Sequence, residues 1–321
     1  MDYQAILIVS FGGPEQTADV IPFLENVLRG RNVPRERLLQ VAEHYYHFGG
    51  KSPINDHCRE LIAALSSEIT LPVYWGNRNW HPMLADTLRK MAADGVQRAL
   101  AIATSAYPSY SGCRQYLENI EKARADAGEG APLIDKLPPF SGHPLFVQAT
   151  ADRVGAALRQ IPEDRRAAAR LVYTAHSIPM SMASTCRYEE SLVATAKAAA
   201  QQAGHEEWDL VWQSRSGPPT QPWLEPDILD HLRRLAENGV QDVVAAPIGF
   251  LSDHMEVLYD LDVEAAALSA ELGLHFVRAQ TVGTHPLVIR MLRELIEERL
   301  AAPAPSVCAP DCCPPPVAIR R

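Results

Sequence analysis

Short apolar runs recur along the chain, and stretches with helical periodicity separate most of them. The runs are rich in branched and aromatic side chains, as expected for buried parallel strands. Strands that alternate with helices are typical of an α/β fold with parallel sheets. The predicted strands are residues 5–10, 72–76, 98–105, 170–177, 210–214, 242–250 and 274–280.

An internal similarity indicates that this pattern occurs twice. Residues 88–103 (LRKMAADGVQRALAIA) align with residues 232–247 (LRRLAENGVQDVVAAP) without a gap, in a shared helix–Gly–strand layout. We therefore predict two similar Rossmann-like domains with a substrate cleft between them, because ligands of doubly wound sheets bind beyond strand ends and between domains. The predicted ranges are 1–140 for the first domain, 141–302 for the second and 303–321 for a Pro/Cys-rich tail.

The composition limits the kind of partner that this chain binds. Its 321 residues carry a formal net charge of −9 at pH 7, which disfavours nucleic acid as the main partner. No apolar run approaches the roughly 20 residues of a membrane-spanning helix. Residues 1–13 lead directly into a predicted strand, without the regions of a signal peptide. We expect a cytoplasmic protein without a transmembrane segment, in which cysteines are reduced or bound to metal.

Two segments that follow predicted strands contain side chains suited to acid–base or metal chemistry. His176 ends one apolar strand, and Glu256, Asp260 and Glu264 follow another at a spacing of four. That spacing places the three carboxylates along one helix face. Each feature alone is more often structural, the histidine as a hydrogen-bonded residue and the acidic series as a solvated face. The apolar and aromatic surroundings of the acidic series favour a functional site that binds a divalent metal or transfers protons.

Several motifs, spread in consistent order over residues 5 to about 300, together resemble the ferrochelatase family. The resemblance is greatest to the coproporphyrin III enzymes of Gram-positive, actinobacterial-type bacteria. It implies two Rossmann-like domains of the chelatase type, with a porphyrin cleft between them, and insertion of Fe²⁺ into the macrocycle. The motifs are SFGGPE (10–15), FGGKSPIN (48–55), SAYPSYSGCRQYLENI (105–120), TAHSIP (174–179), WQSRSGPPTQPWL (212–224) and PIGFLSDHMEVLYDLD (247–262).

The resemblance also implies roles for the candidate site residues. His176 matches the family's invariant histidine and Glu256 its catalytic glutamate, both contacting the Fe²⁺ substrate, while Asp260 and Glu264 extend a proton or metal relay outward. Metalation removes two pyrrole N–H protons and requires Fe²⁺ freed of water. A neutral imidazole is both a base near pH 7 and a ligand for Fe²⁺, so the sequence leaves open which role His176 has. The family's π-helical distortion is expected in the same acidic segment.

By the same resemblance, four residues of the first domain are expected to bind the porphyrin. Ser52 and Tyr116 match positions whose hydroxyl groups contact substrate propionates. Tyr45 and Arg29 occupy positions near the cleft, and Arg29 is equally consistent with an ordinary surface charge.

The chain departs from the family pattern at two positions. Phe11 stands where some coproporphyrin enzymes carry a tyrosine that can approach the iron, and Asn79 stands where some carry a histidine. Axial ligation of iron by a residue after the first strand is therefore not expected here.

Three of the six cysteines lie in the proline-rich tail. A cytoplasmic cysteine cluster of this density predicts a metal site more than disulfides. Many ferrochelatases hold a [2Fe–2S] cluster with one loop cysteine and three C-terminal ones, although the C-x₃-C-C spacing here differs from that of the animal enzymes. Structural zinc is the alternative, and Cys58 and Cys186 are predicted to be small buried side chains. By this resemblance the expected cluster ligands are Cys113, Cys308, Cys312 and Cys313.

We therefore expect an enzyme that inserts Fe²⁺ into coproporphyrin III in haem b biosynthesis. A downstream coprohaem decarboxylase is the expected protein partner. The alternatives are a protoporphyrin IX ferrochelatase, a chelatase for cobalt or nickel, and a non-catalytic haem- or porphyrin-binding module. A dinucleotide-dependent oxidoreductase is disfavoured, because residues 10–17 lack the G-x-G-x-x-G spacing that binds a pyrophosphate.

Overall fold

A computed structural model describes residues 2–30, 33–218, 220–302 and 312–315. These residues form two four-stranded sheets, and all strand pairs in both sheets are parallel. The predicted α/β fold class with two Rossmann-like sheets is therefore confirmed. One strand of the first sheet was not predicted, because its four residues, LIDK, are too few and too polar to stand out.

The first compact unit comprises residues up to 104, residues 115–138 and the segment that begins at Leu292. Its strands are β1 (Ala5–Ser10), β2 (Val73–Asn77), β3 (Arg98–Ala103) and β4 (Leu133–Lys136), in the order β2-β1-β3-β4. The central strand β1 is buried along its whole length, as its apolar sequence requires. The helices of this unit include α1 (Val20–Val27), α2 (Arg35–His47), α3 (Ile54–Ser66), α4 (Leu84–Ala93) and α5 (Gln115–Ala127).

The second compact unit comprises residues 105–114 and 139–291 together with the described tail residues 312–315. Its strands are β5 (Arg170–His176), β6 (Trp208–Gln213), β7 (Asp242–Ala246) and β8 (His275–Arg278), in the order β6-β5-β7-β8. Its helices begin with α6 (Pro144–Leu158), α7 (Glu163–Arg166), α8 (Met180–Ala183) and α9 (Tyr188–Gln202). They continue with α10 (Ile228–Glu237), α11 (Met255–Val257), α12 (Ala266–Glu271) and α13 (Pro286–Ala301).

The internal similarity marks equivalent elements of the two units. Residues 88–103 form the end of α4 and strand β3, and residues 232–247 form the end of α10 and strand β7. Gly95 and Gly239 both have a positive φ, +83° and +77°, and each follows a helix end as a C-terminal capping glycine. Both sheets have the same strand order, so the repeated sequence specifies a repeated fold.

The boundary between the units is not a single point in the chain. Residues 105–114, which include a π-helical turn at Tyr110–Arg114, belong to the second unit, and α13 divides at Leu292. The domain ranges 1–140, 141–302 and 303–321 stay predictions. No helix in the described part of the chain is both long and apolar enough to cross a membrane.

Candidate active site

His176 is the last residue of β5 and has one ring nitrogen free for chemistry. Its Nδ1 lies 2.5 Å from the backbone oxygen of Ser177. A carbonyl oxygen can only accept, so Nδ1 donates the proton, and in the neutral imidazole the lone pair is on Nε2. The Tyr188 hydroxyl donates to the backbone oxygen of His176 at 3.1 Å, which further fixes the strand end.

Glu256 lies opposite this lone pair. Its Oε2 is 3.6 Å from His176 Nε2, which allows one divalent ion to contact both atoms at bond lengths of about 2.1 Å. His254 caps the helix that carries Glu256, because its Nδ1 accepts from the Glu256 N–H at 3.2 Å. In the part of the chain that the structure describes, no three His, Cys, Asp or Glu side chains are arranged to hold a metal.

The backbone after Glu256 is a π-helix over Leu258–Ala265, between α11 and α12. The expected π-helical distortion is therefore confirmed. Val257, Leu261 and Ala265 pack in the apolar core of the second unit, on the side of the helix away from the carboxylates. This packing turns Asp260 toward the end of strand β6. Because π-helical turns are rare and cluster at functional sites, the segment is consistent with an active site.

Gln213 and Ser214, at the end of β6, hold the Asp260 carboxylate. Gln213 pairs in register with His176 on the neighbouring strand. Its Nε2 donates to Asp260 Oδ2 at 3.2 Å and contacts the Glu256 backbone oxygen at 3.4 Å. Ser214 has a left-handed backbone, with φ of +61°, and its hydroxyl also donates to Asp260 Oδ2. The two donors occupy Oδ2, so Oδ1 is the oxygen that can take up a proton.

Burial is the main reason why Asp260 holds a proton more tightly than an ordinary carboxyl. It raises the pKa of Asp260 to about 7, and the negative charges of Glu256 and Glu264 act in the same direction against the donors Ser214 and Gln213. Burial, followed by the charge of Asp227, also raises the pKa of Glu264. A carboxyl with a pKa near 7 can both accept and release protons under physiological conditions.

Gln213 and Ser214 were missed as site residues although they lie in the motif WQSRSGPPTQPWL. The signal that could have identified them is positional. Gln213 ends a strand adjacent to the one that ends in His176, and side chains at neighbouring parallel strand ends share one edge of the sheet.

Of the residues expected to bind porphyrin, all four lie in the first unit. Ser52 and Tyr116 are 3% and 4% exposed. Tyr45 packs edge-on against Phe23 with ring centroids 5.8 Å apart. Arg29 is exposed and donates to Asn26 at 2.5 Å. Their roles in substrate binding stay predictions.

A further cation, Arg78, lies beside Tyr116. Its guanidinium is 4.5 Å from the centroid of the Tyr116 ring and 5.7 Å from that of Phe11. Its Nε donates to Asn119 at 2.5 Å, and none of the described carboxylates pairs with it. Such a ring-held guanidinium is suited to carboxylate recognition. Sequence reasoning missed Arg78 because the rings that hold it come from different elements.

Four cysteines of the second unit lie near one another. Cys113 in the π-helical turn is buried, and so is Cys313, whose Sγ is 3.8 Å from Cys312 Sγ. Arg114 donates to the backbone oxygen of Cys312 from Nε at 3.3 Å and Nη2 at 3.2 Å, which attaches the described tail residues to this turn. The fourth cysteine, Cys186, is half-buried and donates to the Met182 backbone oxygen.

The thiols of this group are in an environment that disfavours the free thiolate. Burial, hydrogen bonding to Cys312 and the charges of Cys312, Cys113 and Cys186 raise the pKa of Cys313 to about 12. Burial and then the charge of Cys312 raise the pKa of Cys186. Cys186 was predicted to be a small buried side chain, and the structure shows it half-buried and near Cys312. Cys58 is buried in the first unit, as predicted. Cys308 lies outside the described residues.

Comparison with known proteins identifies the family of this chain. A family model described as Ferrochelatase matches residues 3–300. A ferrochelatase of Rhodopirellula baltica is 53% identical, over 97% of this chain and 93% of its own length. Two coproporphyrin III ferrochelatases, from Nocardia farcinica and Mycolicibacterium smegmatis, are each 50% identical over 98% of this chain, and cover 97% and 95% of their own lengths.

Solved structures show the same fold at low sequence identity. SirB from Bacillus subtilis with Fe³⁺ gives a TM-score of 0.59 at 13% identity, covering 94% of this chain and 96% of its own. The sirohydrochlorin chelatase SirB from Bacillus subtilis subspecies spizizenii in complex with cobalt gives 0.55 at 12% identity, covering 94% and 97%. The family model and these relatives define the class of protein, a metal chelatase. The chain belongs to the ferrochelatase family.

Proposed function

We propose that this enzyme inserts Fe²⁺ into coproporphyrin III, with His176 and Glu256 as the residues that deliver the metal. The observation that carries the proposal is the 3.6 Å separation of His176 Nε2 and Glu256 Oε2. In the neutral imidazole Nε2 has a lone pair, and Oε2 belongs to a carboxylate. Nitrogen and oxygen donors in this arrangement suit a divalent first-row metal. The curated relatives named for coproporphyrin III support the choice of substrate.

The reaction exchanges one Fe²⁺ for two protons. The porphyrin loses both pyrrole N–H protons, iron forms bonds to the four ring nitrogens, and two protons leave the site. In the proposed mechanism His176 Nε2 and Glu256 release Fe²⁺ as the ring nitrogens replace them. Each then has a free lone pair that can accept a proton.

Protons leave the site in the proposed mechanism along the π-helix. Asp260, with its pKa of about 7, receives a proton on Oδ1 and passes it to Glu264. Glu264 interacts with Asp227, whose carboxyl accepts from the Leu229 N–H at 2.8 Å. Asp227 also lines a cavity of about 550 Å³ within the second unit, together with Asp230 and other residues. The acidic series is therefore proposed as a relay that ends at this cavity.

Substrate recognition is proposed to depend on the first unit. Ser52, Tyr116, Tyr45 and Arg29 stay the proposed propionate-binding residues, and Arg78 adds a cation suited to a carboxylate. Coproporphyrin III has four propionates and protoporphyrin IX has two, so each additional cation favours coproporphyrin III. Conversion of the iron coproporphyrin product into haem b then requires a decarboxylase that acts on its propionates. We propose that both enzymes are cytoplasmic.

Turnover of the two porphyrins by the same preparation tests the substrate. With Fe²⁺ and without oxygen, we expect kcat/KM for coproporphyrin III to exceed that for protoporphyrin IX by at least about tenfold, which corresponds to ~1.4 kcal/mol. Equal values, or a preference for protoporphyrin IX, would assign the other substrate. Binding of both porphyrins without metalation of either would identify a non-catalytic module.

We also propose that Cys113, Cys308, Cys312 and Cys313 hold a [2Fe–2S] cluster. Cys312 and Cys313 have Sγ atoms 3.8 Å apart, and the Arg114 contact brings this pair to the turn that carries Cys113. Buried thiols that resist ionisation become thiolates when they bind a cation, since the positive charge of the metal replaces the missing solvation. Four thiolates suit this cluster, and a bound cluster would supply a structural link between the tail and this turn.

The metal content of anaerobically purified protein tests the cluster. We expect about two irons and two acid-labile sulfides per chain and a red-brown colour, because four thiolates are the ligand set of this cluster. Cys113→Ser should lose both iron and sulfide. Cys58→Ser, in the other unit, is the matched control and should retain them. One zinc per chain without sulfide would assign a structural zinc site, and protein without metal would contradict both.

A further inference from the structure

Arg278, the last residue of β8, binds two aspartates that flank Glu256 in sequence. Its Nη1 and Nη2 donate to the two carboxylate oxygens of Asp253, each at 3.1 Å. Its Nε donates to Asp262 Oδ1 at 2.5 Å. The side chains of Arg278 and Asp253 are only 16% and 18% exposed, so these charged bonds are largely shielded from solvent.

We propose that Arg278 is a positioning residue that holds the π-helical segment in the register that places Glu256 and Asp260 at the site. The inference rests on the proposed roles of those two carboxylates. Arg278 itself reaches the segment through Asp253 and Asp262, so it acts through the backbone that carries the reacting groups.

The register matters because a π-helix and an α-helix orient the same residues differently. The π-helix at Leu258–Ala265 closes i→i+5 hydrogen bonds, which are less favourable than the i→i+4 bonds of an α-helix. If the segment relaxed to an α-helix, residues after the bulge would rotate about the axis relative to Glu256. Asp260 would then move away from Gln213 and Ser214. Asp253 precedes the π-helix and Asp262 lies within it, so a guanidinium that binds both restrains this rotation.

The contacts require an arginine. A guanidinium presents donors in a planar fork that binds both oxygens of one carboxylate and still has Nε for a second. A lysine ammonium carries the same charge at one point and cannot hold this geometry. Lysine at position 278 therefore keeps the charge and removes the two-sided restraint.

A second arginine in the same unit provides a matched structural control. Arg165 Nε and Nη2 donate to the two oxygens of Asp242, both at 3.0 Å. Asp242 is the first residue of β7, whereas the Glu256 segment follows the end of that strand. This pair is also a two-bond arginine–aspartate contact, made through Nε and Nη2, and it is removed from the site by the length of the strand. Its loss should affect stability only.

The test compares Arg278→Lys and Arg278→Gln with Arg165→Gln in the full chain. We expect the Arg278 variants to lose at least about tenfold in kcat, since small misplacements of catalytic groups are costly, while the porphyrin Kd by fluorescence quenching changes less than about twofold. Arg165→Gln should lower Tm and leave kcat of the folded protein unchanged. Asp262→Asn, at the more exposed partner, gives a milder variant if Arg278→Gln does not fold.

Two outcomes would overturn the proposal. One is normal kcat in both Arg278 variants with only Tm lowered, as for Arg165→Gln. The other is equal loss of porphyrin affinity and kcat, which would indicate general disorder of the site. Glu256→Gln in the same assay distinguishes failure of the proposed active site from failure of the positioning role of Arg278. If Glu256→Gln is inactive and the Arg278 variants are normal, only the positioning role fails, whereas an active Glu256→Gln would remove the proposed site itself.

Discussion

Replacement of His176 by alanine is expected to abolish iron insertion and leave the fold intact. The variant loses Nε2, the lone pair that faces Glu256 across 3.6 Å. We expect turnover to fall by more than about a hundredfold, or ~2.7 kcal/mol of transition-state stabilisation. The side chain is 31% exposed and its Nδ1 bonds only to the adjacent Ser177 oxygen, so its removal leaves little cavity.

Iron insertion is measured by the loss of porphyrin fluorescence without oxygen, and folding by circular dichroism and Tm. His231→Ala is the control, because this histidine of the same unit binds Asp209 at 3.1 Å, outside the site. It should retain turnover. A His176→Ala protein with more than about a tenth of the wild-type rate, a loss of only ~1.4 kcal/mol, would contradict the assigned role.

The sheets could be predicted because their signal is local. The apolar runs of β1, β3, β5 and β7 are buried by helices on both sides, so each appears as a continuous run in the sequence. The four residues of β4 carry no such signal, because two of them are charged and the strand pairs only with β3. The repeated helix–Gly–strand segment indicated the duplication for the same local reason.

The site could be predicted only in part. The positions of His176 and Glu256 follow from motifs at strand ends, and the structure brings them together. Gln213 and Ser214 contact Asp260 from the end of a neighbouring strand, so only their position at that strand end could have indicated them. Arg278 contacts Asp253 and Asp262 from a distant segment, and no spacing in the sequence encodes that contact.

The cysteines also show that contacts between distant segments could not be predicted from the sequence. Cys186 lies near Cys312 of the tail, and a helical sequence pattern gives no sign of this. The interpretation of Cys186 from its neighbours in sequence therefore predicted a buried side chain, whereas the structure shows a half-buried one close to another cysteine.

Replacement of Asp260 by asparagine is expected to raise the stability of the fold at pH 8 and to lower the rate of metalation. Burial raises the pKa of Asp260 from the ordinary 3.8 to about 7. The folded state therefore binds this proton more tightly than the unfolded state does. Stability contributed by the bound proton is lost as the pH rises from about 4 through 7, and above 7 the fold holds a buried carboxylate at full cost.

The Asp260→Asn side chain cannot ionise. Its single amide oxygen can take the place of the aspartate Oδ2 and still accept from Ser214 and Gln213. We expect the variant to be more stable than wild type at pH 8, by up to ~4 kcal/mol, and of similar stability near pH 4. Metalation should fall by at least about tenfold, because the relay loses a carboxyl whose pKa lies near 7. Urea unfolding at pH 5 and pH 8, with turnover at pH 7, measures both effects.

Asp209→Asn provides a control of opposite sign in the same unit. Burial alone would raise the pKa of Asp209, but hydrogen bonds from His231 and Arg170 hold it below the ordinary value. The wild-type carboxylate therefore stabilises the fold at neutral pH, and its replacement should lower stability at pH 8. If both asparagine variants lose stability at pH 8, Asp260 is an ordinary ionised residue of the fold. If Asp260→Asn gains stability and keeps its turnover, protons leave the site by a route that does not include Asp260.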